Sequence, residues 1–426
     1  MSIERTFEEL LTEKLHPELL RNEIQDRSYI LTNSEKDNEW KGGNYGFGFE
    51  ESSASSLMYD GFTDENDIGQ AVVARGNITE QKILTGSLIF NFRDLLEHDT
   101  GKITEASFLK ILPRHVNDFS LYMKSAMAQN LLTGEVIVKG TAIAGATEAQ
   151  AGKCKVSRID RLMLGQKVEV ESTSMAKVDA YVAKKSIKDR SDLHVVLVTA
   201  RGGSTPVDLT LSVGETIKFY HPNGKGKGFS SVKKMLLQDE NEGGSAEMFG
   251  LQKEDYTYLQ NMEFDAAAAG MTSANILDII FDYFTDLRTY TSSVADEIWC
   301  SYKHFAAIIK QLEGEKKAFN VVPNSRKVNK FGWQEITIGD VTGTYIKFVA
   351  MKECDDDFMT IVDPKTFKFA SNGLIRQVAD PEGKKYYTVR KSGAGGGFFG
   401  IVDWQVFGEY FCTKPCENAL IKNIAL

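Results

Sequence analysis

Asn38-Glu-Trp-Lys-Gly-Gly-Asn-Tyr-Gly-Phe-Gly-Phe-Glu50 opens the stretch that decides how this chain folds. From there to Ile89 the aromatics Trp40, Tyr45, Phe47, Phe49, Tyr59 and Phe62 are spaced by glycines and carboxylates. The run has little helical periodicity and no apolar cluster dense enough to make a core. Compact domains rarely carry so long a connection without a purpose. Exposed rings on a strand-prone ribbon suit a segment that lies across a neighbouring molecule, so these six aromatics are the expected inter-subunit contacts.

Upstream, residues 3 to 24 alternate charged positions with Phe7, Leu10, Leu11, Leu15, Leu19 and Leu20 at roughly helical spacing, which reads as an amphipathic arm. Downstream, Lys82 to Phe92 has the β-branched and aromatic content of a strand. A long helix then starts at Pro113, where the missing N–H costs nothing. Val116, Phe119, Met123 and Met127 form its apolar stripe, and Gly134 follows Thr133 as the stop. Twenty-one helical residues over 113–133 would span about 32 Å.

At 426 residues the chain is long enough for two or three domains, or for one with large insertions. The net charge of −9 argues against nonspecific nucleic-acid binding, which depends on clustered Lys and Arg. Five cysteines, Cys154, Cys300, Cys354, Cys412 and Cys416, cannot all pair within one chain, and reduced thiols are expected. The opening Met1-Ser-Ile-Glu-Arg-Thr-Phe-Glu-Glu9 has no apolar signal core, and no stretch reaches the ~20 apolar residues of a membrane span.

From Val156 to Tyr220 short alternating runs separated by turn residues predict a small barrel or sandwich set between helical regions. Helices are predicted at Ser230–Leu237, Lys253–Met262, Ser273–Leu287 and after Ser301, with Glu297–Cys300 as a strand between the last two. The remainder is strand-rich.

Candidate chemistry is sparse. His221-Pro-Asn-Gly-Lys-Gly-Lys-Gly-Phe-Ser230 sets glycines and two lysines ahead of a helix, the ingredients of an anion nest. This keeps open a cytosolic phosphate- or nucleotide-binding enzyme using Gly224–Ser230, although no register supplies G-x-x-x-x-G-K-[ST]. A solvated basic loop is the other reading. Gly393-Ala-Gly-Gly-Gly397 lies between two strand-like runs, as a hairpin tip would. Asp355-Asp-Asp357 is either a solvated acidic corner or, with His304 or His221, a metal site. Cys412-Thr-Lys-Pro-Cys416 lacks a second Cys or His pair for a tetrahedral site, leaving free thiols or a disulfide formed in an oxidising medium. None of the six histidines lies in H-E-x-x-H and there is no G-x-S-x-G. No catalytic, cofactor-binding or metal-ligating residue is assigned, and the chain is not expected to be an enzyme.

This ordering, read with Phe331-Gly-Trp-Gln-Glu-Ile-Thr-Ile338, Gly343-Thr-Tyr-Ile-Lys-Phe-Val349 and Asp356-Asp-Phe-Met-Thr-Ile-Val-Asp363, resembles the major capsid proteins of tailed bacteriophages, with the Hong Kong 97 fold. Glu297-Ile-Trp-Cys300 between its helices and the ending Gly400-Ile-Val-Asp-Trp404, Phe407-Gly-Glu409 and Pro415 fit the same series. The resemblance covers nearly the whole chain and implies an α+β fold. Its parts would be an N-terminal arm (1–37), an E-loop β-hairpin (38–98) and a peripheral (P) domain (99–155) with the spine helix 113–133. A small inserted all-β domain (156–222), a mixed α/β axial (A) domain (223–354) and strands returning to the P domain (355–426) would follow.

In function the resemblance implies hexamers and pentamers in an icosahedral head that encloses double-stranded DNA without binding it specifically. It also implies a virion location, assembly in the host cytoplasm, a portal, optionally a decoration protein, and no membrane. The sequence shows no long helical, charged N-terminal extension of the kind that serves as a built-in scaffold, so a separate scaffolding protein is expected. A phage tail or baseplate component would share the β-rich texture and is the second alternative.

Overall fold

The computed structural model describes residues 29–37, 40, 43–50, 73–91, 118–119, 122–143, 152–187, 193–207, 209, 214–238, 244–291, 293–314, 320–321, 327–328, 333–339, 345–371, 375–378, 387–390 and 398–425. The chain divides into two compact units, one of residues Ser125–Phe229 and one of Met1–Lys124 with Ser230–Leu426.

In the larger unit, helix α1 (Tyr29–Asn33) leads to strands β1 (Glu35–Asp37), β2 (Tyr45–Glu50), β3 (Val73–Ile78) and β4 (Lys82–Asn91). The alternation in Tyr45-Gly-Phe-Gly-Phe49 fixes the two faces of β2. Its rings point one way and its glycines face solvent, as the two-residue period of a strand requires. Antiparallel β3 sets Gly76 opposite Phe47 and Ala74 opposite Phe49. A Cβ at Gly76 would meet the rings of both Phe49 and Phe47 at under 3 Å, so the missing side chain makes room for them.

Helix α2 (residues 122–133) is preceded by helical residues 118–119 and ends on Gly134 at φ +94°, whose N–H donates to the Asn130 carbonyl at 3.0 Å. That is the left-handed stop expected of a glycine here. Val116 lies outside the described residues, as do 113–117 and 120–121 of the predicted helix. Phe119, Met123 and Met127 are all buried.

The smaller unit is built on a closed barrel. Its strands are β5 (Val136–Ala142), β6 (Lys153–Val156), β7 (Lys167–Ser172), β8 (Val178–Ile187), β9 (Leu193–Val198) and β10 (Thr216–Tyr220), joined in the order β10-β5-β6-β9-β8-β7 and back to β10. Inward positions such as Val138, Cys154, Val170, Val182, Leu197 and Phe219 fill the interior. Because β5 and β6 close the barrel, it starts some twenty residues before the boundary at 156 expected from sequence. Strand β6, Lys-Cys-Lys-Val, is too short and too lysine-rich to announce itself alone, and the expected boundary falls at its last residue, behind the seven-residue β5.

After it come α3 (Val232–Leu236), β11 (Glu247–Met248), β12 (Leu251–Gln252), β13 (Met262–Asp265), α4 (Ile276–Tyr290), β14 (Glu297–Cys300) and α5 (Tyr302–Gly314). The strands β15 (Asn320–Val321), β16 (Lys327–Val328), β17 (Trp333–Gly339), β18 (Tyr345–Met351), β19 (Phe358–Val362), β20 (Phe367–Ala370), β21 (Ile375–Gln377), β22 (Tyr387–Arg390), β23 (Phe398–Cys412) and β24 (Ala419–Lys422) complete the chain. The helix predicted over Lys253–Met262 is instead two 3-10 turns followed by β13. Lys253 opens the first of these turns, and its ammonium turns inward and donates to the carbonyls of Met235 and Leu237, which end α3.

Eight strands form one mixed sheet in the order β13-β24-β19-β14-β18-β17-β15, with β16 also on β17. Every residue of β14 and β19 is buried, as for strands covered on both faces. Apolar positions of α4 and α5, including Ile280, Phe284, Phe305 and Ile308, join the sheet's core. Since β19 and β24 sit inside this sheet, the expected division at 354/355 cuts through one folded layer.

The second large sheet is organised by β23, fifteen residues long. It pairs β20, β21 and β22 in turn, and it pairs β4 over ten consecutive positions from Phe399↔Asn91 to Gly408↔Lys82.

Candidate functional site

The aromatic ribbon finds its core within its own chain. Phe47 lies 4.2 Å from Phe411 and 5.3 Å from Phe249 between ring centroids, and Tyr45 lies 5.5 Å from Trp40 with the rings tilted by 38°. Phe49 meets Phe47 edge-on and Tyr258 at 5.5 Å. Trp40 and Phe49 are completely buried, while Tyr45 and Phe47 keep part of their surface. The expectation that Trp40 and Phe49 face a neighbouring subunit is therefore corrected. Rings contributed by positions 249, 258 and 411 close over them, a pairing no local pattern announces. Tyr59 and Phe62 lie outside the described residues.

The stripe of the long helix is packed where it can be described. Phe119 lies 5.1 Å from Trp404, and a side chain at Gly86 would run into Met123 and Phe119. Gly86 faces Trp404 across the β4–β23 ladder, so one glycine lets the helix approach that ladder closely.

The glycine–lysine loop at 221–230 is already filled. Asn223 (φ +58°) and Gly226 (φ +74°) shape it as a nest, and its amides point at the protein's own acids. The Gly226 N–H donates to Glu135 at 2.6 Å and that of Gly228 to the same oxygen at 3.5 Å. Asn223 N–H donates to Glu169 at 2.6 Å, and Lys225 pairs with Glu171 at 2.5 Å. Phe229 N–H donates to the Asn130 side chain. A nest holding carboxylates has no vacant place for phosphate, which removes the structural basis for the nucleotide-binding alternative.

The remaining candidates resolve as structural. The Asp357 carboxylate pairs with Lys233 at 2.8 Å. The His304 Nε2 lies 3.1 Å from the Asp356 carbonyl, and burial holds its ring below the usual imidazole range. Desolvation pushes His221 down to about 4. No group of three or more metal-ligating side chains occurs among the described residues. Cys412 is a free thiol, pushed up to about 12 by burial, and it receives a contact from the Asn418 amide; Cys416 is also free.

Among the buried charged groups that sequence reasoning missed are Glu297 and Glu409. Glu297, on β14, accepts from the Tyr29 hydroxyl through both oxygens (2.7 and 2.8 Å), from Lys347 at 2.7 Å and from the Trp299 indole at 3.0 Å. Lys347 also reaches Glu335 at 3.5 Å. Burial, and then the Glu297 carboxylate, push the Tyr29 hydroxyl far above the ordinary phenol range. The second group is Glu409, 2% exposed, which accepts the Ser230 N–H at 2.6 Å and the Tyr410 N–H at 3.0 Å. Burial raises its carboxyl to about 7 despite those donors. A charged residue in a fully buried strand was the available signal for Glu297; Glu409 gave none. Among the described residues, no helix is long and apolar enough to cross a membrane.

No family model matches this chain, and no curated protein does. Solved structures do match. The capsid asymmetric unit of Cyanophage A-1(L) is similar at 10% identity, covering 96% of this chain and 93% of that one, with a TM-score of 0.45. The capsid of Myoviridae Phage XM1 is similar at 9% identity over 93% and 91%, with a TM-score of 0.42. The capsid of a native GTA particle gives 10% identity over 95% and 91%, with a TM-score of 0.42.

Proposed function

We propose that this chain is a major capsid protein whose copies assemble, as hexamers and pentamers, into the icosahedral head that encloses a tailed phage's double-stranded DNA. The observation that carries this reading is the ten-residue β4–β23 ladder with Phe119 and Met123 of the helical residues 118–119 and 122–124 seated over Gly86 and Trp404. The order of a helix, a mixed sheet with two helices and strands returning at the chain's end is the one the sequence resemblance implies, except that β4, expected within the E-loop hairpin (38–98), pairs β23 instead of β2 or β3.

In this reading the helix over 113–133 is the spine, the barrel is an inserted domain, and the eight-stranded sheet is the axial domain. Contact with neighbours falls to Tyr59, Phe62 and the part-exposed faces of Tyr45 and Phe47. The role is structural rather than catalytic, with a virion location, assembly in the host cytoplasm, a separate scaffolding protein and a portal as partners, and optionally a decoration protein. Many modest contacts, summed over a closed lattice, give such a shell its strength.

Electron microscopy and mass photometry of the full chain, at rising concentration and with a crowding polymer, test the reading. Closed particles, or rings of five and six, are expected. A monomer at every concentration would overturn it.

A further inference from the structure

The barrel unit differs in charge from the rest of the chain. Residues 125–229 hold fifteen Lys and Arg against ten Asp and Glu, a surplus of five positive charges, whereas the whole chain carries −9. The remainder is therefore at −14.

The surplus is not spread evenly around the barrel. On the β7 side the lysines are matched: Lys167 pairs with Asp179 at 2.6 Å, Lys177 with Glu169 at 2.8 Å and Lys225 with Glu171 at 2.5 Å. On the outward face of β6, β9 and β8 the register brings lysines together without carboxylates. Lys153 and Lys184 flank Val196 from either side, and Lys155 lies between Thr141 and His194, with Ser186 beyond. Lys218, on β10, lies outside this face, between Lys139 on β5 and Glu171 on β7. Among the described residues Lys153, Lys155 and Lys184 have no ion pair.

The strand geometry sets the spacing at about 6.7 Å from Lys153 to Lys155 and about 10 Å from Lys153 to Lys184 across β9. The larger unit presents a complementary feature. On α4 the exposed Asp278, Asp282 and Asp286 recur every fourth residue, in steps of about 6 Å. Asp278 accepts from the Gln311 amide, and none of the three is ion-paired among the described residues.

We propose that the Lys153–Lys155–Lys184 face of the barrel docks the Asp278–Asp282–Asp286 stripe on α4 of a second copy of this chain. The inference rests on the self-association proposed above and names one of its contacts. A nucleic acid is the weaker fit. The face offers no arginine in register, and the chain's net negative charge repels a polyanion at long range.

Unlabelled and nitrogen-15-labelled full chains are mixed, allowed to self-associate and cross-linked with a carbodiimide, which joins lysines directly to carboxylates. Mixed-isotope links from Lys153, Lys155 or Lys184 to Asp278, Asp282 or Asp286 are expected, and they should vanish in about 1 M salt. The variant Lys153→Glu/Lys155→Glu/Lys184→Glu should assemble about tenfold more slowly, because rim charges act mainly on association rate. Adding Asp278→Lys/Asp282→Lys/Asp286→Lys to the same chain should restore the rate, which shows that the first variant folds.

Particles that form without these links, links confined to one isotope, or an unchanged rate in the folded variant would overturn the contact while leaving the shell reading intact. So would protection of the three lysines from acetylation by duplex DNA without the links. A chain that never self-associates would overturn both.

Discussion

Two glycine-rich stretches, residues 42–50 and 221–230, look alike in composition and are opposite in design. In the first, glycines alternate with rings, so the strand period puts every ring on one face and every glycine on the other. In the second, glycines alternate with lysines and the backbone turns its amides inward on carboxylates. One stretch supplies side chains to a core and the other supplies backbone donors. Glycine spacing foretells the path of the backbone; it does not say what fills the space beside it.

Removing a filler breaks the first design most severely. Phe49 is wholly buried between Phe47 and Tyr258. Phe49→Ala should destabilise the larger unit by about 3–5 kcal/mol, the cost of truncating a core aromatic. Thermal denaturation followed by circular dichroism measures it. A loss below about 1 kcal/mol would mean that the ring is not in this core, and that the ribbon is free to lie on a neighbour.

The segment closing the second stretch offers a pH test at Ser230, whose N–H is held by Glu409. Burial raises that carboxyl from 4.5 to about 7. The folded state thus binds the proton more tightly than the unfolded one, so stability is fullest below about pH 4.5 and falls as pH rises toward 7. The loss reaches about 3 kcal/mol at pH 8, at 1.36 kcal/mol for each pH unit between the two values. Glu409→Gln keeps an acceptor for Ser230 and removes the titration. It should raise denaturant midpoints at pH 8 and flatten their slope between pH 5 and 7. An unchanged slope would show that Glu409 is not the buried acid.

How much of this was legible follows from the range of each interaction. The stop of α2 at Gly134, the strand Glu297–Cys300 and the strands β17–β19 were readable, because period, capping and turn chemistry act over a few residues. The partners of Phe47 lie two hundred and more positions away, at Phe249 and Phe411, and the donors to Glu297 are spread over Tyr29, Trp299 and Lys347. Single-sequence patterns hold no record of such pairings. The early boundary of the barrel was missed for a related reason: β6, Lys-Cys-Lys-Val, becomes a strand only when β5 and β9 pair with it.

The smallest effect belongs to the nest itself. Glu135→Ala takes the carboxylate from the amides of Gly226 and Gly228, which should cost about 1–3 kcal/mol, as expected when charge-assisted bonds are lost. The loop is exposed at Lys225, Gly226 and Lys227, so water takes up part of what Glu135 supplied and the loss belongs at the lower end. The vacated amides, with Lys225 and Lys227 beside them, should then gain a weak site for inorganic phosphate, seen as amide shifts of Gly226 and Gly228 in NMR titrations of selectively glycine-labelled chain. The native chain should show none, since its own carboxylate occupies the same donors. Phosphate shifts of equal size in both chains would mean that Glu135 does not fill the nest, and would return the loop to the class of ligand-binding sites.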